Sequence, residues 1–363
     1  MQLVATIHRW TGGLIGLLLA LLGLTGALLL WKGVWLRLTV AAENIVQTDP
    51  ARLGALVQNI LAGSAQTPMS IVFADSEIPV HTVRTGTDSG FYADANGYAL
   101  ASWDSIWARF EIFLFDLHHH LLAGEAGETV SGIAGLVGLG FILTGLLLWW
   151  PTRKTFRLRL WPARMTRPAI IRQHRDMGVV LAPLLFLTML TGVMMTLKPV
   201  AALLLSPFSS AAEMESALEP PRVMAGPADN ADWPSIMAAA QARFPDATIR
   251  IIGLPQKAGD PVAIRLKRAD EWHNNGRTII WFDGASGRLL GAKDALTLRR
   301  GLQLFNLAYP LHAAKVGGMV YKIAQTIAGL ALALLGSLAV WSFWFRRKAI
   351  SRPKQTRMTL PKP

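Results

Sequence analysis

Four of the eight histidines stand in matched surroundings, and none of the 363 residues is cysteine. The lack of thiols excludes disulfides, iron–sulfur clusters, thiolate zinc sites and covalent c-type haem attachment. Metal chemistry must then rest on imidazole and carboxylate. His8-Arg9-x-x-Gly12 matches His174-Arg175-x-x-Gly178, and Leu24-Thr25-Gly26 matches Leu190-Thr191-Gly192, all at one offset of 166 residues. A second offset, 194, aligns Leu117-His118 with Leu311-His312, Gly124 with Gly318, Ile133-Ala134-Gly135-Leu136 with Ile327-Ala328-Gly329-Leu330, Trp150 with Trp344 and Arg153-Lys154 with Arg347-Lys348. Leu and Gly matches come cheaply in apolar runs; ungapped His matches at the heads of those runs do not. The chain reads as an internal two-fold repeat in which each half is helix, outside domain, helix.

The elements that must carry these histidines are membrane spans. Hydrophobic residues make up 52% and charged residues 16%, too few charges to coat a water-soluble globule of this size. Mean hydropathy is +0.35. Gly12–Trp31, Val130–Trp150, Met177–Leu197 and Val316–Trp344 are each long enough to cross a bilayer core, which takes about 20 apolar residues. Only Lys322 interrupts them, close to one end of the fourth. Trp31, Trp149, Trp150, Trp341 and Trp344 stand at run ends, where indole favours the interface. Trp149–Pro151 and Leu197–Pro199 read as exit signals. Val40-Ala41-Ala42 resembles a signal-peptide cleavage site, but the first run ends well before it and reads as a retained span.

The net charge of +13 has two parts. Segment 151–176 holds Arg153, Lys154, Arg157, Arg159, Arg164, Arg167, Arg172 and Arg175 against Asp176 alone, and the tail holds seven bases and no acid. With Arg9 these segments carry +15, and the rest of the chain carries −2. The positive-inside rule then puts both termini in the cytoplasm of a bacterial inner-membrane protein. The division is 1–37 first span, 38–129 periplasmic region, 130–150 second span, 151–176 basic loop, 177–197 third span, 198–315 second periplasmic region, 316–345 fourth span and 346–363 basic tail. A nucleic-acid reading of the high pI loses to this split.

Orientation sorts the histidines. His8 and His174 fall near the inner face, His118 and His312 near the outer face. A cross-pairing of His8 with His118 would have to bridge about 30 Å of helix, so the pairs are His8 with His174 and His118 with His312. Two imidazoles are too few for structural zinc, which wants four ligands, but haem supplies four nitrogens and needs only two axial groups. Two bis-histidine b haems, one per face, follow as the expectation, with four helices burying them. Gly12, Gly16, Gly178 and Gly135 would let a flat macrocycle approach the backbones, and Arg9 and Arg175 would pair with inner propionates or serve only as interfacial anchors. His119 and His120 rival His118 as the ligand. Asp116 and Glu111 would order the His118 region or stand as exposed acids. His81 and His273 read as ordinary surface residues. Trp103, Trp107, Trp272 and Tyr309 are aromatic candidates for substrate contact, with core packing the plainer role.

The outside regions read as small helix-plus-hairpin modules. The first has a helix at Ala51–Ala62 and strands at Ser70–Ala74, Val80–Thr85 and Gly90–Trp103, with a turn at Asp94–Gly97. The second has a helix at Trp233–Phe244 and strands at Ala247–Leu254, Pro261–Lys267 and Arg277–Phe282, with a turn at Asp283–Gly287. No phosphate-binding G-x-x-x-x-G-K-[ST], H-E-x-x-H or G-x-S-x-G occurs, and Gly135–Gly140 lacks the preceding strand a dinucleotide fingerprint needs. Nearly charge-free spans argue against ion-coupled transport.

At Ile7-His8-Arg9-Trp10-x-Gly12, at Leu117-His118 through Leu143-Thr144-Gly145 to Trp149, and at His174-Arg175 to Leu190-Thr191-Gly192, the sequence resembles the PepSY-associated transmembrane family. The resemblance runs from His8 to about Trp344, and the outside loops look like PepSY domains. Within the family it looks most like inner-membrane ferrisiderophore reductases of the ferrioxamine reductase (FoxB) type. That resemblance implies a four-helix α-helical membrane protein with two periplasmic α+β modules and two b haems on His8, His118, His174 and His312. It implies reduction of a periplasmic Fe(III)-siderophore to release Fe(II), with electrons from a cytoplasmic or quinol donor. Family members commonly carry Arg after the second-span His; here His119 and His120 follow, leaving that ligand open. The rival readings are a non-catalytic PepSY-type peptide-binding or protease-regulating protein and a siderophore permease.

Overall fold

In the computed structural model the described residues are 1–40, 48–216, 219–221 and 231–345; the basic tail and Ala41-Ala42 lie outside them. In chain order the elements are α1 (Gln2–Leu29), α2 (Lys32–Thr39), α3 (Pro50–Gly63), β1 (Ser70–Val72), β2 (His81–Arg84), β3 (Gly90–Ala93), β4 (Ala99–Trp103), α4 (Phe110–His120), α5 (Gly124–Trp149), α6 (Arg167–Thr196), α7 (Lys198–Leu205), α8 (Ala211–Ser216), α9 (Trp233–Arg243), β5 (Thr248–Gly253), β6 (Val262–Lys267), β7 (Thr278–Phe282), β8 (Leu289–Lys293), α10 (Arg300–Asn306), α11 (Ala308–His312) and α12 (Gly318–Trp344).

Helices α1, α5 with the 3-10 turn that continues it, α6 and α12 are each long and apolar enough to cross a membrane. They outrun the apolar runs read from sequence. α1 has 28 residues, roughly 42 Å at 1.5 Å per residue, so its first turns project beyond the apolar stretch and carry His8. Large side chains such as Leu14, Leu17, Ile133, Leu143, Val180, Ile327 and Leu330 stay exposed along these helices, the surface a lipid environment covers. α1 and α12 meet through small residues. A Cβ on Gly23 would lie 2.7 Å from the Gly329 carbonyl, and one on Gly336 2.2 Å from that of Gly16. Backbones come this close only at glycine, and seven-residue spacing repeats the contact every two turns. Asp176, wholly buried in α6, ties down the basic loop by accepting from Arg159, Arg175 and the Arg157 amide.

The two outside regions are not separate modules. Their strands form one antiparallel eight-stranded sheet in the order β4-β3-β2-β1-β5-β6-β7-β8, joined where Ile71 of β1 pairs Ile252 of β5. β8 has no counterpart among the strands expected from sequence; its apolar–polar alternation is weak. α3 and α9 cover one face, and Leu53, Val57 and Ile60 share a core with Trp233, Ile236 and Met237 and with Val262, Ile264 and Leu266 of the alternating strand β6. Each such side chain contributes about 1.5–3 kcal/mol when buried, and because they come from both four-stranded halves the two halves share one core. Leu36 of α2, Tyr92 and Trp103 make a second cluster, with Ile112 of α4 against it. Glu77 fastens the sheet to the bundle through Lys315 (2.6 Å) and Lys322 (3.0 Å), and Lys322 also lies over the Trp31 ring, which accounts for a charge near the end of a span.

Candidate functional site

His8 and His174 sit about two turns into α1 and α6, with ring centres 6.2 Å apart. His8 Nδ1 lies 2.8 Å from Thr144 Oγ1 on α5. The Thr144 hydroxyl donates to the Gly140 carbonyl at 2.7 Å, so its oxygen accepts from the imidazole. The proton is thereby on Nδ1, and Nε2 keeps its lone pair. The pair lines a cavity of about 540 Å³ between the four long helices, bordered by Gly12, Gly178, Arg9, Arg167 and Arg175. A Cβ on Gly178 would meet nothing within 4 Å, and one on Gly12 only Phe141 at 3.9 Å, so both glycines face open space. Gly135 instead admits Val193 of α6 and serves helix packing, while Gly16 both borders the cavity and admits α12.

His118 and His312 are carried outside the spans, on α4 and α11, with ring centres 6.1 Å apart. Each is turned back against a long helix. His118 Nδ1 lies 2.9 Å from Thr25 Oγ1, whose hydroxyl is committed to the Leu21 carbonyl at 2.8 Å. His312 Nδ1 donates to the Thr188 carbonyl at 2.9 Å, with Thr191 Oγ1 at 3.4 Å. Both therefore hold a proton on Nδ1 and a lone pair on Nε2. The glycines of the Leu-Thr-Gly motifs make room for the rings: a Cβ on Gly26 would lie 2.9 Å from His118 Cε1, and one on Gly192 3.0 Å from His312 Cε1.

This donor set fits haem. An ion midway between two imidazoles, each about 2.0–2.1 Å away and with roughly 1.1 Å from nitrogen to ring centre, puts the centres roughly 6.3 Å apart. The ring centres of both pairs stand near that span, and neutral imidazole, with the Nδ1 proton that the seating bonds give His8, His118 and His312, is the form iron takes.

Residues 5–347 match the sequence profile described as the PepSY-associated TM region, nearly the whole chain. The chain belongs to the PepSY-associated transmembrane family. No curated protein matches the sequence.

In this PepSY-associated chain the three consecutive histidines part company. His118 faces His312, whereas His120 Nδ1 bonds Asp116 at 2.7 Å and His119 bonds His120 at 2.9 Å. Helix geometry separates them by about 100° per residue, so one ring can face the bundle while its neighbours do not. Asp116 thus orders His120, and Glu111 points elsewhere: it is 3% exposed and accepts from Tyr92 (3.1 Å) and Arg109 (2.5 Å). Arg175 is engaged by Asp176 and by Thr155 Oγ1 at 2.9 Å, while Arg167, read from sequence only as part of the basic loop, joins Arg9 at the cavity.

His81 and His273 are buried, not surface residues as their loops implied. Burial pulls the His81 pKa down to about 4, and burial with Arg277, Arg265 and Lys267 nearby pulls His273 to about 3, so both are neutral. His81 accepts the Ala74 amide within the sheet, and His273 stacks on Tyr309 at 4.9 Å. Trp103 is core, whereas Trp107 and Trp272 are exposed. Sequence reading used Thr25 and Thr191 only as repeat markers and Thr144 only as part of the family motif; the histidines they meet lie on other helices, so spacing along the chain gave no signal that they seat imidazoles.

Proposed function

We propose that this protein is a diheme reductase of the bacterial inner membrane, with both termini cytoplasmic, that passes electrons outward to a periplasmic ferric siderophore and so frees Fe(II). The observation that carries the reading is the pair of facing imidazole couples, 6.2 and 6.1 Å between ring centres, at opposite ends of one four-helix bundle. His8 and His174 would hold one b haem, His118 and His312 the other; bound there, haem supplies one-electron chemistry that no side chain of this chain offers. Thr144, Thr25 and the Thr188 carbonyl fix tautomer and ring plane, which keeps Nε2 available and spares reorientation on ligation. Arg9, Arg167 and Arg175, which border the inner cavity, would pair with the carboxylates of a haem held there.

On the sheet side, Trp272, His273, Arg300 and Asn306 border a second cavity of about 530 Å³ beside α10, of a size suited to a chelate. The four-strand halves of the sheet, each preceded by a helix, are read as two fused PepSY modules and the outward part of the internal repeat. The ferrioxamine-reductase resemblance supports the substrate class. An absorption spectrum of the purified protein, oxidised and then dithionite-reduced, tests the reading. The expected result is a Soret band with two haems per chain and reoxidation on adding a ferric chelate. A colourless preparation from haem-replete cells would sink it.

A further inference from the structure

The reversal between α4 and α5 builds a second cluster of ligating groups that the histidine couples do not use. α4 ends at His120, and Leu121, Leu122 and Gly124 take positive φ (50°, 61° and 58°), folding the first turns of α5 back over it. Gly127 is pressed so tightly onto the His120 carbonyl that a Cβ there would lie 1.5 Å away, and Ser131 Oγ, which donates to the Glu128 carbonyl at 2.8 Å, lies 3.2 Å from the His119 carbonyl. This clamp brings Glu128 of α5 to His119 and His120 of α4. One ligand atom from each of the three lies within 4.8 Å of the other two.

Hydrogen-bond direction shows what the cluster lacks. Asp116 accepts the His120 Nδ1 proton at 2.7 Å, so His120 Nε2 carries a lone pair. His119 Nδ1, 2.9 Å from that nitrogen, must then be the donor, leaving His119 Nε2 with a lone pair. That lone pair faces the Glu128 carboxylate at 3.9 Å, two electron-rich atoms opposed across a gap. Phe115 stacks on His119 with rings 12° from parallel and fixes its plane. The side chains of His119, His120 and Glu128 are 36%, 30% and 29% exposed, so a cation can enter from solvent.

We propose that His119, His120 and Glu128 bind a divalent first-row transition-metal cation, Fe(II) or Zn(II), with Asp116 as the carboxylate that orients His120. Two imidazoles and one carboxylate are the donor set of open zinc and non-haem iron sites, and the Asp116–His120 bond is the usual support for a ligating histidine. Binding replaces the single hydrogen bond between the imidazoles with two metal–nitrogen bonds and fills the gap before Glu128. Ligand atoms of a tetrahedral site stand roughly 3.3 Å apart, so the three groups close by only small rotations. A role in receiving Fe(II) freed beside His118 rests on the reductase reading; the site itself does not.

The test is Zn(II) titration of the full-length, haem-loaded protein in detergent, by calorimetry and by metal analysis after dialysis. One Zn(II) per chain is expected, with affinity reduced at least tenfold in His120→Gln and Glu128→Gln and about 10–100-fold in Asp116→Asn. Melting curves of each variant check folding. No binding by the folded wild type, or equal affinity in Glu128→Gln, would overturn the assignment. So would a cation that survives Glu128→Gln and vanishes with His312→Ala, since it would belong to the other couple. A colourless protein that still binds Zn(II) through Glu128 would refute the reductase reading alone.

Discussion

The two histidine couples reach nearly the same separation by different means. His8 and His174 grow directly from long helices, so the packing of α1 and α6 onto their shared neighbours α5 and α12 sets their spacing, and they border a roomy cavity in which Gly12 and Gly178 face open space. His118 and His312 ride on short helices joined to α5 and α12 by positive-φ turns: Leu121, Leu122 and Gly124 on one side, Ala314, Gly317 and Gly318 on the other. Such turns do not aim a ring by themselves. Thr25 with Gly26, and Thr188 with Gly192, do it, by offering an acceptor and a socket on the long helices. A ligand built on a rigid span needs little further support; one built on a connection must be seated by its neighbours.

Removing one imidazole should break the symmetry most. If the proposed diheme reading holds, His174→Ala should halve the haem content by extraction assay and leave the haem proposed at His118–His312, while His312→Ala does the reverse. Loss of both haems from a variant that still folds would mean that the couples are wrongly drawn. Gly26→Ala comes next. Its methyl would stand 2.9 Å from His118 Cε1, and overpacking of about 1–3 kcal/mol should cost the haem proposed at His118–His312 about 5- to 150-fold in retention. Gly145→Ala, 3.7 Å from His8 Cε1, should be near wild type; equal sensitivity would erase the distinction between tight socket and open cavity.

Thr25→Val and Thr144→Val each remove one acceptor, worth about 0.5–1.5 kcal/mol, and should weaken retention and shift the midpoint potential only at the haem whose histidine they seat. Redox titration resolving the two haems would read this. The smallest effect expected is at Glu77, which anchors Lys315, three residues after His312. Burial pushes its pKa up, but Lys315 and Lys322 outweigh that and hold the carboxyl below its ordinary value. Its contribution is therefore present above the unfolded carboxyl pKa, about 4.3, and is lost as pH falls through the lower folded value. Glu77→Gln should lower thermal stability by about 1 kcal/mol at neutral pH. Melting curves of wild type and variant should converge in acid, and a difference constant with pH would show that the ion pairs contribute nothing.

Much of this architecture was legible in one sequence. Apolar run length gave the four spans, since crossing a bilayer is a local requirement on consecutive residues. The ungapped offsets of 166 and 194 singled out His8, His118, His174 and His312 from eight histidines. The helices before each sheet half and seven strands, two of them within the 90–103 segment and its turn, were readable from alternation and turn residues, but β8, α4, α10 and α11 were not, being short and weakly patterned. Burial of His81, His273 and Glu111 was misjudged because a loop-like composition says nothing of what packs over it.

What the sequence determined by itself is that this chain is a membrane protein of four apolar spans, with bases gathered in the connection between the second and third and in the tail, and with a histidine near each end of each half. Those properties depend on residues close together along the chain. Only the tertiary structure decided that His118, and not His119 or His120, faces His312, that three threonine positions seat imidazoles, and that two outside regions share one sheet. These depend on how the helices pack, on a chain reversal at Leu121–Gly124 and on the pairing of β1 with β5, all set by contacts between residues tens to hundreds of positions apart.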